Sequence, residues 1–336
     1  MTRRIGIALV TIALAGAVAA PWLAPHAVND RFDGLLNAPP TIPRVIDADG
    51  SLRAPFIYAW HRVSQLEQRY EEDRSARVGL VWFAGGRLVR SANETDAPLL
   101  LLGADSYGRD VFARLAFGAR LSLGLAVAAA LGAILLGASI GAVAGYYGGR
   151  LDDVLMRSTD FVMVLPSMYV ALALRSVLPL VLSASEVFAL LGAIFAVVGA
   201  PFVAHGVRAI VRSERRLDYA AAAAALGASD LRLLARHLLP ATRGFLAVQC
   251  TLLVPAFIVA EATLSYVGLG FPDQVASWGT MLQDASTNIR VFADFPWLLS
   301  PAAAMFLVVL GLNLVLQQDR GPEAPGLPAR EIRPLG

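Results

Sequence analysis

From Leu121 to Gly149 the chain carries no charged residue, and the run exceeds the roughly 20 apolar residues that take a helix across a bilayer. Few structures are open to such a run. In hydrocarbon every backbone N–H and C=O must be paired within the protein, so only helices and closed barrels span a membrane. Barrel strands are segments of about 10 residues that alternate apolar and polar side chains, and this run does not alternate. It is therefore expected to be a transmembrane helix. Gly132, Gly137, Gly141 and Gly145 recur along it, and small residues let helix backbones approach one another closely in lipid.

Five other runs read the same way. Ile5 to Val28 has no Asp, Glu or Arg. Phe161 to Leu182 has only Arg175, Val187 to Val207 only His205, and Phe245 to Gly270 only Glu261. Phe295 to Leu316 is uncharged. The composition agrees: 57% of the 336 residues are apolar and 16% are charged, with mean hydropathy +0.60, against about 25% charged in soluble domains. Arg3, Arg4 and Ala17-Val18-Ala19-Ala20 are also compatible with a cleaved signal peptide. The first run is longer than a signal-peptide core of 7–15 residues, so an uncleaved helix over residues 1–28 is the preferred reading.

Several function classes are excluded or left without support. The net charge of +2 gives no basis for nucleic-acid binding. All 28 basic residues are Arg, and a P-loop needs its Lys on the β- and γ-phosphates, so this chain cannot hydrolyse ATP by that route. Cys250 is the single cysteine; it allows no disulfide or Cys-based metal cluster and is read as packing. His26, His61, His205 and His237 show no metal-ligand spacing, and no cofactor or metal is expected. No Ser–His pairing within one motif and no paired aspartates in opposed spans support an intramembrane enzyme.

The large polar segment runs from about residue 29 to 119. Pro55 to about Asp73 reads as a helix with a charged end at Arg69 to Arg74. Val78 to Phe83 and Arg87 to Val89 read as a hairpin about Gly85-Gly86. Short-loop charge sets the orientation. Arg150 and Arg157 lie in one loop, and Arg208, Arg212, Arg215, Arg216, Arg232, Arg236 and Arg243 in the central one, while the loop from 271 to 294 carries only Arg290. The positive-inside rule then puts both termini and the central loop in the cytoplasm and the polar segment outside.

The central loop is more ordered than a connector requires. Asp218 to Leu226, with six consecutive alanines, is strongly helix-forming. Gly227 stands where a helix end needs a left-handed residue. Ser229 or Asp230 can cap a second helix, and Pro240 follows its end. Leu231, Leu234, Leu238 and Leu239 share one face, with Arg232 and Arg236 a turn apart. Two readings are open from this pattern: an Arg-held connecting loop, or a helix–turn–helix that docks a partner.

The spacing here resembles the loop of ABC-importer permeases that contacts the ATPase. In that family Glu-Ala-Ala is followed by Gly three residues later and then by hydrophobic-Leu-Pro. Gly227 and Leu238-Leu239-Pro240 match, while Ala221 stands where the family has Glu, so no Glu-mediated contact is implied. Three more stretches resemble one family, the C-type permease subunits of dipeptide, oligopeptide and nickel ABC importers. They are Leu102 to Leu123, with Gly108-Arg109-Asp110; Gly145-Tyr146-Tyr147-Gly148-Gly149, with Asp152, Arg157, Asp160 and Pro166; and Glu261 to Gly270 with Ser277 to Leu282. The resemblance covers about residues 100 to 318; residues 44–97 look longer than the family's outer segment.

Together with the apolar runs and the polar segment, it leads to the expectation of an all-α polytopic membrane protein of six transmembrane helices, with a cytoplasmic helix–turn–helix coupling loop and a small extracytoplasmic subdomain. The boundaries would be 1–28 for the first helix, 29–100 for the extracytoplasmic subdomain, 101–320 for the permease core, 208–243 for the coupling loop and 321–336 for a cytoplasmic tail. The implied function is ATP-driven import through the cell (inner) membrane by alternating access, with peptides as cargo. Nickel or another small solute, and a non-importing scaffold, are alternatives. The implied partners are a second related permease, two ABC ATPases, an extracytoplasmic substrate-binding protein and the bilayer. The coupling residues would be Asp218, Ala221, Gly227, Ser229, Arg232, Arg236 and Pro240.

Glu261 is a separate candidate. A carboxylate at bilayer depth is costly and is a functional-site hypothesis by default, so it either lines the pathway or is a buried hydrogen-bonding group. Arg109, Asp110 and Arg114 read as a surface helix with local ion pairs, and Pro166 and Pro255 as kinks.

Overall fold

The computed structural model describes residues 2–47, 50–165, 169–170, 173, 182–287 and 290–316. Helix α1, Thr2–Leu23, is followed by the polar segment. Then come α2, Val111–Tyr147; α3, Gly149–Val164; α4, Ala184–Glu214; and the short α5, Asp218–Ala225. Helix α6 runs as one rod over Asp230–Tyr266, α7 covers Trp278–Ser286 and α8 covers Ser300–Leu316. Five of the described helices are long and apolar enough to cross a membrane: α1, α2, α4, α6 and the Pro296–Val315 stretch that overlaps α8. Helix α3 covers the start of the span expected over Phe161 to Leu182. Most of that run, with Pro166 and Arg175, lies outside the described residues, as does the 321–336 tail.

The glycines of α2 determine how the bundle closes. A Cβ on Gly137 would meet the Ala200 carbonyl oxygen, one on Gly141 that of Ala204, and one on Gly145 that of Arg208 at 2.7 Å. The partner numbers rise together in steps of four, so α2 and α4 lie backbone to backbone and run parallel. Helix α6 runs against both, with Phe257 and Leu253 over Gly199 and Phe245 over Gly206. Helix α1 is antiparallel to α8, joined by mutual contact of Gly6 and Gly311. Leu125, Ala129, Ala133, Leu191, Phe195, Phe257 and Ile258 fill the centre, where Phe195 and Phe257 stack at 5.3 Å. Outward-facing positions stay apolar, as at Ile12, Leu135, Phe202 and Phe306, which suits lipid.

The bundle has two distinct ends. One gathers the starts of α1 and α3 and the ends of α2, α4 and α8, with α5 and most of the short-loop arginines. The other carries the polar segment, which forms a four-stranded antiparallel sheet in chain order: β1, Arg44–Ile46; β2, Leu52–Ser64; β3, Arg69–Trp82; and β4, Val89–Ser91. The expected hairpin at 78–89 is present, with Trp82 paired to Val89. The expected helix from Pro55 to Asp73 is not: those residues form β2, a turn and the start of β3. Phe56, Ile57, Tyr58 and Trp60 suit a pleated, half-buried surface. Gln68 takes a left-handed φ of 51° at the turn. The acidic cluster that looked like a helix end makes cross-strand pairs, Arg44 with Glu72 at 2.6 Å and His61 with Asp73 at 3.2 Å.

The glycine ridge gives a direct test. Gly141→Ala puts a methyl group into the α4 backbone, and overpacking of that kind costs about 1–3 kcal/mol. Gly124, on the same helix, has open space around its Cβ position. Thermal unfolding in detergent should fall for Gly141→Ala and hold or rise for Gly124→Ala.

Candidate functional site

The short helix α5 is built by its alanines and closed by a Schellman turn. The Gly227 N–H donates to the Ala224 carbonyl at 3.0 Å, and the Ala228 N–H to that of Ala223 at 3.1 Å. Gly227 adopts φ +83° with nothing near its Cβ position, so the left-handed backbone alone requires glycine there. Only Ala220 of α5 is buried. Asp218 is exposed in the first turn and Ala221 on the outer face. Leu226 is 89% exposed beside Gly227, and Leu231 is exposed just beyond it. The result is a small-residue knob with two free leucines at its tip.

The helix after the turn differs from the expected short one ending at Pro240. Ser229 occupies the N-cap position without a side-chain cap bond. The chain is α-helical at Asp230–Leu233, passes through a π turn at Leu234–Leu238 and a 3-10 turn at Leu239–Thr242, and is α-helical again over Arg243–Tyr266. Proline cannot donate the backbone hydrogen bond of a regular α-helix. Here the change of winding absorbs Pro240 without ending the rod. Arg232 and Arg236 are exposed one turn apart, while Leu233 and Leu238 are buried and hold this part against the bundle.

A clasp that sequence reasoning missed fixes the knob to α2. The Tyr146 hydroxyl donates to Asp230 Oδ1 at 2.7 Å. The Arg215 guanidinium lies 4.5 Å over the Tyr146 ring and donates to the Tyr146 carbonyl. Arg208 of α4 forks onto Asp152 of α3, with Nη2 to Oδ2 at 2.6 Å, and its hydrogen bonds hold the Asp152 carboxyl below the usual range. The Tyr-Tyr-Gly-Gly motif and the Arg-rich loop both stood out in the sequence, but nothing in their spacing pairs them.

Glu261 lies near the far end of α6. It is 1% exposed and ties three elements together. Ser122 of α2 donates to Oε2 at 3.0 Å. Ser265 of α6 and Ser277, the N-cap of α7, donate to Oε1 at 2.8 Å each. The Trp278 N–H donates to Ser122 Oγ at 3.1 Å. The carboxylate therefore sits at the N-terminus of α7, where the helix dipole favours negative charge. About 46 Å of helix separates it from Asp230, at a rise of 1.5 Å per residue.

Arg109, Asp110 and Arg114 do not form a surface helix. All three are buried, because α7 and the segment before α2 pack over the start of α2. Asp110 caps α2 by accepting from the Phe112 N–H at 2.9 Å, and contacts His26 Nδ1 at 2.9 Å. Arg109 donates to Asp105 and to Asp284 at 2.6 Å each. Arg114 lies 3.6 Å from Asp105 and 3.7 Å from Asp284. Burial pushes the Asp284 carboxyl up, and the Arg109 and Arg114 guanidinium groups oppose that.

Comparison with known proteins gives one consistent picture. Residues 133–318 match the family of binding-protein-dependent transport system inner membrane components. The chain is 38% identical over 214 residues to the oligopeptide transport system permease protein OppC of Bacillus subtilis, covering 63% of this chain and 67% of that one. It is 35% identical over 267 residues to OppC of Lactococcus lactis, covering 74% and 89%. The dipeptide transport system permease protein DppC of Alkalihalophilus pseudofirmus is 35% identical over 215 residues, covering 63% and 67%.

The serine cage around Glu261 predicts an order of stabilities. A buried hydroxyl or amide left unpaired costs about 1–3 kcal/mol. Glu261→Leu removes the acceptor of three hydroxyls, whereas Glu261→Gln keeps one acceptor oxygen. Thermal unfolding should rank parent above Glu261→Gln above Glu261→Leu; equal values for parent and Glu261→Leu would remove the cage from the account.

Proposed function

The chain belongs to the binding-protein-dependent transport system inner membrane components, and from that membership we propose that it is the permease subunit of an ATP-driven importer carrying di- or oligopeptides through the inner membrane by alternating access. The names of its relatives support peptides over nickel or another solute. One structural observation carries the coupling role. An exposed knob with a left-handed glycine at its apex is clasped to α2 and continues directly into a transmembrane rod that ends at the Glu261 cage.

The energy comes from outside the chain, because it has no P-loop Lys. Two ABC ATPase subunits supply it, a second related permease completes the pathway, and an extracytoplasmic binding protein delivers cargo. Ala221, Gly227 and the exposed Leu226 enter a groove on the ATPase. Asp218, Ser229, Arg232 and Arg236 border that contact, and Pro240 marks where the rod changes winding. Glu261 acts by fixing the outer end of α6 to α2 and α7, which limits how that helix can tilt around the pathway.

Six spans fit this reading. Helices α2 and α4 are parallel, so the chain leaves one end of the bundle at Tyr147 and enters the next span at the other end at Ala184. A further crossing within 149–183 meets that requirement. The arginine distribution supports cytoplasmic termini, with 208–243 inside and 29–100 outside. Single cysteines at Ser75 and Ser213, both exposed, in a Cys250→Ser background should react with impermeant maleimide from outside and inside respectively. Outside labelling of both would overturn this orientation.

Gly227 is the sharpest functional test. A side chain there meets open space in the free chain and pays only the left-handed strain, roughly 1–2 kcal/mol. That is too little to prevent insertion. Gly227→Val should reach the membrane at parental abundance and lose uptake, with ATPases that dissociate or hydrolyse ATP without responding to loaded binding protein. Gly227→Ala should fall between, and Ala221→Glu should be tolerated. Parental uptake by Gly227→Val would reduce the knob to a connector.

A further inference from the structure

The turn between β3 and β4 has features that a water-facing turn does not need. Trp82 and Phe83 are both exposed, Phe83 by 79%. Phe83 also holds a left-handed backbone, φ 55° and ψ 27°, which is rare for a bulky side chain. Gly and Asn are the residues that ordinarily fill such positions in turns, and Gly85 and Gly86 already do so two and three residues later. The stretch from Trp82 to Val89 reads Trp-Phe-Ala-Gly-Gly-Arg-Leu-Val, with no acidic residue. The Phe83 N–H donates to the Leu88 carbonyl at 3.0 Å and closes the turn, with both rings left exposed.

Two bonds fix the level of this turn. The Leu88 N–H donates to the Trp22 carbonyl at 2.7 Å, and the Arg87 guanidinium donates to the Pro25 carbonyl. Both acceptors lie at the end of α1. The exposed stripe Leu14, Val18, Trp22 on that helix steps by four residues and finishes there. Tryptophan concentrates at the membrane–water interface, where its ring meets the headgroups. A turn tied to Trp22 therefore lies at the same depth, wherever the rest of the sheet stands.

We propose that the Trp82–Leu88 turn is a membrane-interface anchor, with the Trp82 and Phe83 rings seated among the lipid headgroups beside the end of α1. The partner is the bilayer surface. The exposed apolar stripe of α1 continues into the turn, and an Arg among aromatics is a composition suited to that boundary. Such an anchor fixes the height and tilt of the sheet over the bundle.

The test uses the assembled transporter in lipid nanodiscs. Phe83→Cys and, separately, Ser75→Cys in the middle of β3 are made in a Cys250→Ser background and labelled with an environment-sensitive fluorophore. Lipids with a nitroxide near the headgroup should quench the label at 83, with less effect from a nitroxide at the acyl end, and aqueous iodide should quench it weakly. The label at 75 should show the reverse, iodide quenching without lipid quenching. Trp82→Cys supplies a second reporter on the same turn. Strong iodide quenching without lipid quenching at 83 and 82 would place the turn in water and overturn the proposal. Protection from both quenchers would overturn it in favour of a protein partner covering the turn.

Discussion

The backbone contact between α2 and α4 is the constraint on which the rest of the molecule depends. Gly137, Gly141 and Gly145 leave no side chain between the helices, and the α4 carbonyls fill that space. In lipid, where hydrophobic burial gives little drive for helices to associate, close approach of small residues supplies much of the cohesion. The contact also fixes the axial position of one helix on the other, since each glycine accepts one particular carbonyl. The groups at the ends of the two helices are placed by that choice. Arg208 comes level with Asp152, and Arg215 comes over Tyr146, which in turn holds Asp230. The knob at Gly227 is thus positioned through the helix pair: Gly145 directly precedes Tyr146, and the Tyr146 hydroxyl holds Asp230 three residues after Gly227.

The same logic explains the division of labour between the ends. At the sheet end, ionisable groups are buried and most have hydrogen-bond partners: Arg109 with Asp105 and Asp284, Asp110 with His26, and Glu261 with three serine hydroxyls, while Arg114 stands 3.6 and 3.7 Å from Asp105 and Asp284 without a hydrogen bond. Losing one partner from such a network strands another in the interior, so this end resists rearrangement. At the opposite end the knob is exposed, its buried contacts few and its polar links near water. Helix α6 joins the rigid end to the exposed end through an irregular stretch at Leu234–Thr242. A rod held at Glu261 and pushed at Gly227 would pivot.

What could be read from the residues follows the range of each interaction. Five of the expected spans are legible because apolar length is a local property, and Gly227 because a helix end needs a left-handed residue within a few positions. The uncharged run starts ten residues after α2 does, since Arg114 and Arg120 lie within the helix that begins at Val111. The difference at Pro55 to Asp73 has another cause: the contiguous charged cluster at Arg69 to Arg74, which reads as a helix end, is satisfied instead by partners on other strands of the sheet. The Glu261 cage was half legible. Its rarity in an apolar run marked it as important, but Ser122, Ser277 and the α7 cap come together only through the fold. Helix α7 itself was unread, and so was the continuity of α6 through Pro240, where proline usually ends a helix and a change of winding keeps it going.

The central claim is that the Gly227 knob is where the ATPase meets the membrane domain. A photo-reactive amino acid at Leu226, which is 89% exposed beside Gly227, addresses it in the assembled transporter. A covalent adduct with the ATPase subunit is expected from the probe at Leu226 and none from the same probe at Ser75 on the sheet. Working transporter that yields no ATPase adduct from Leu226, or equal adducts from both positions, would contradict it.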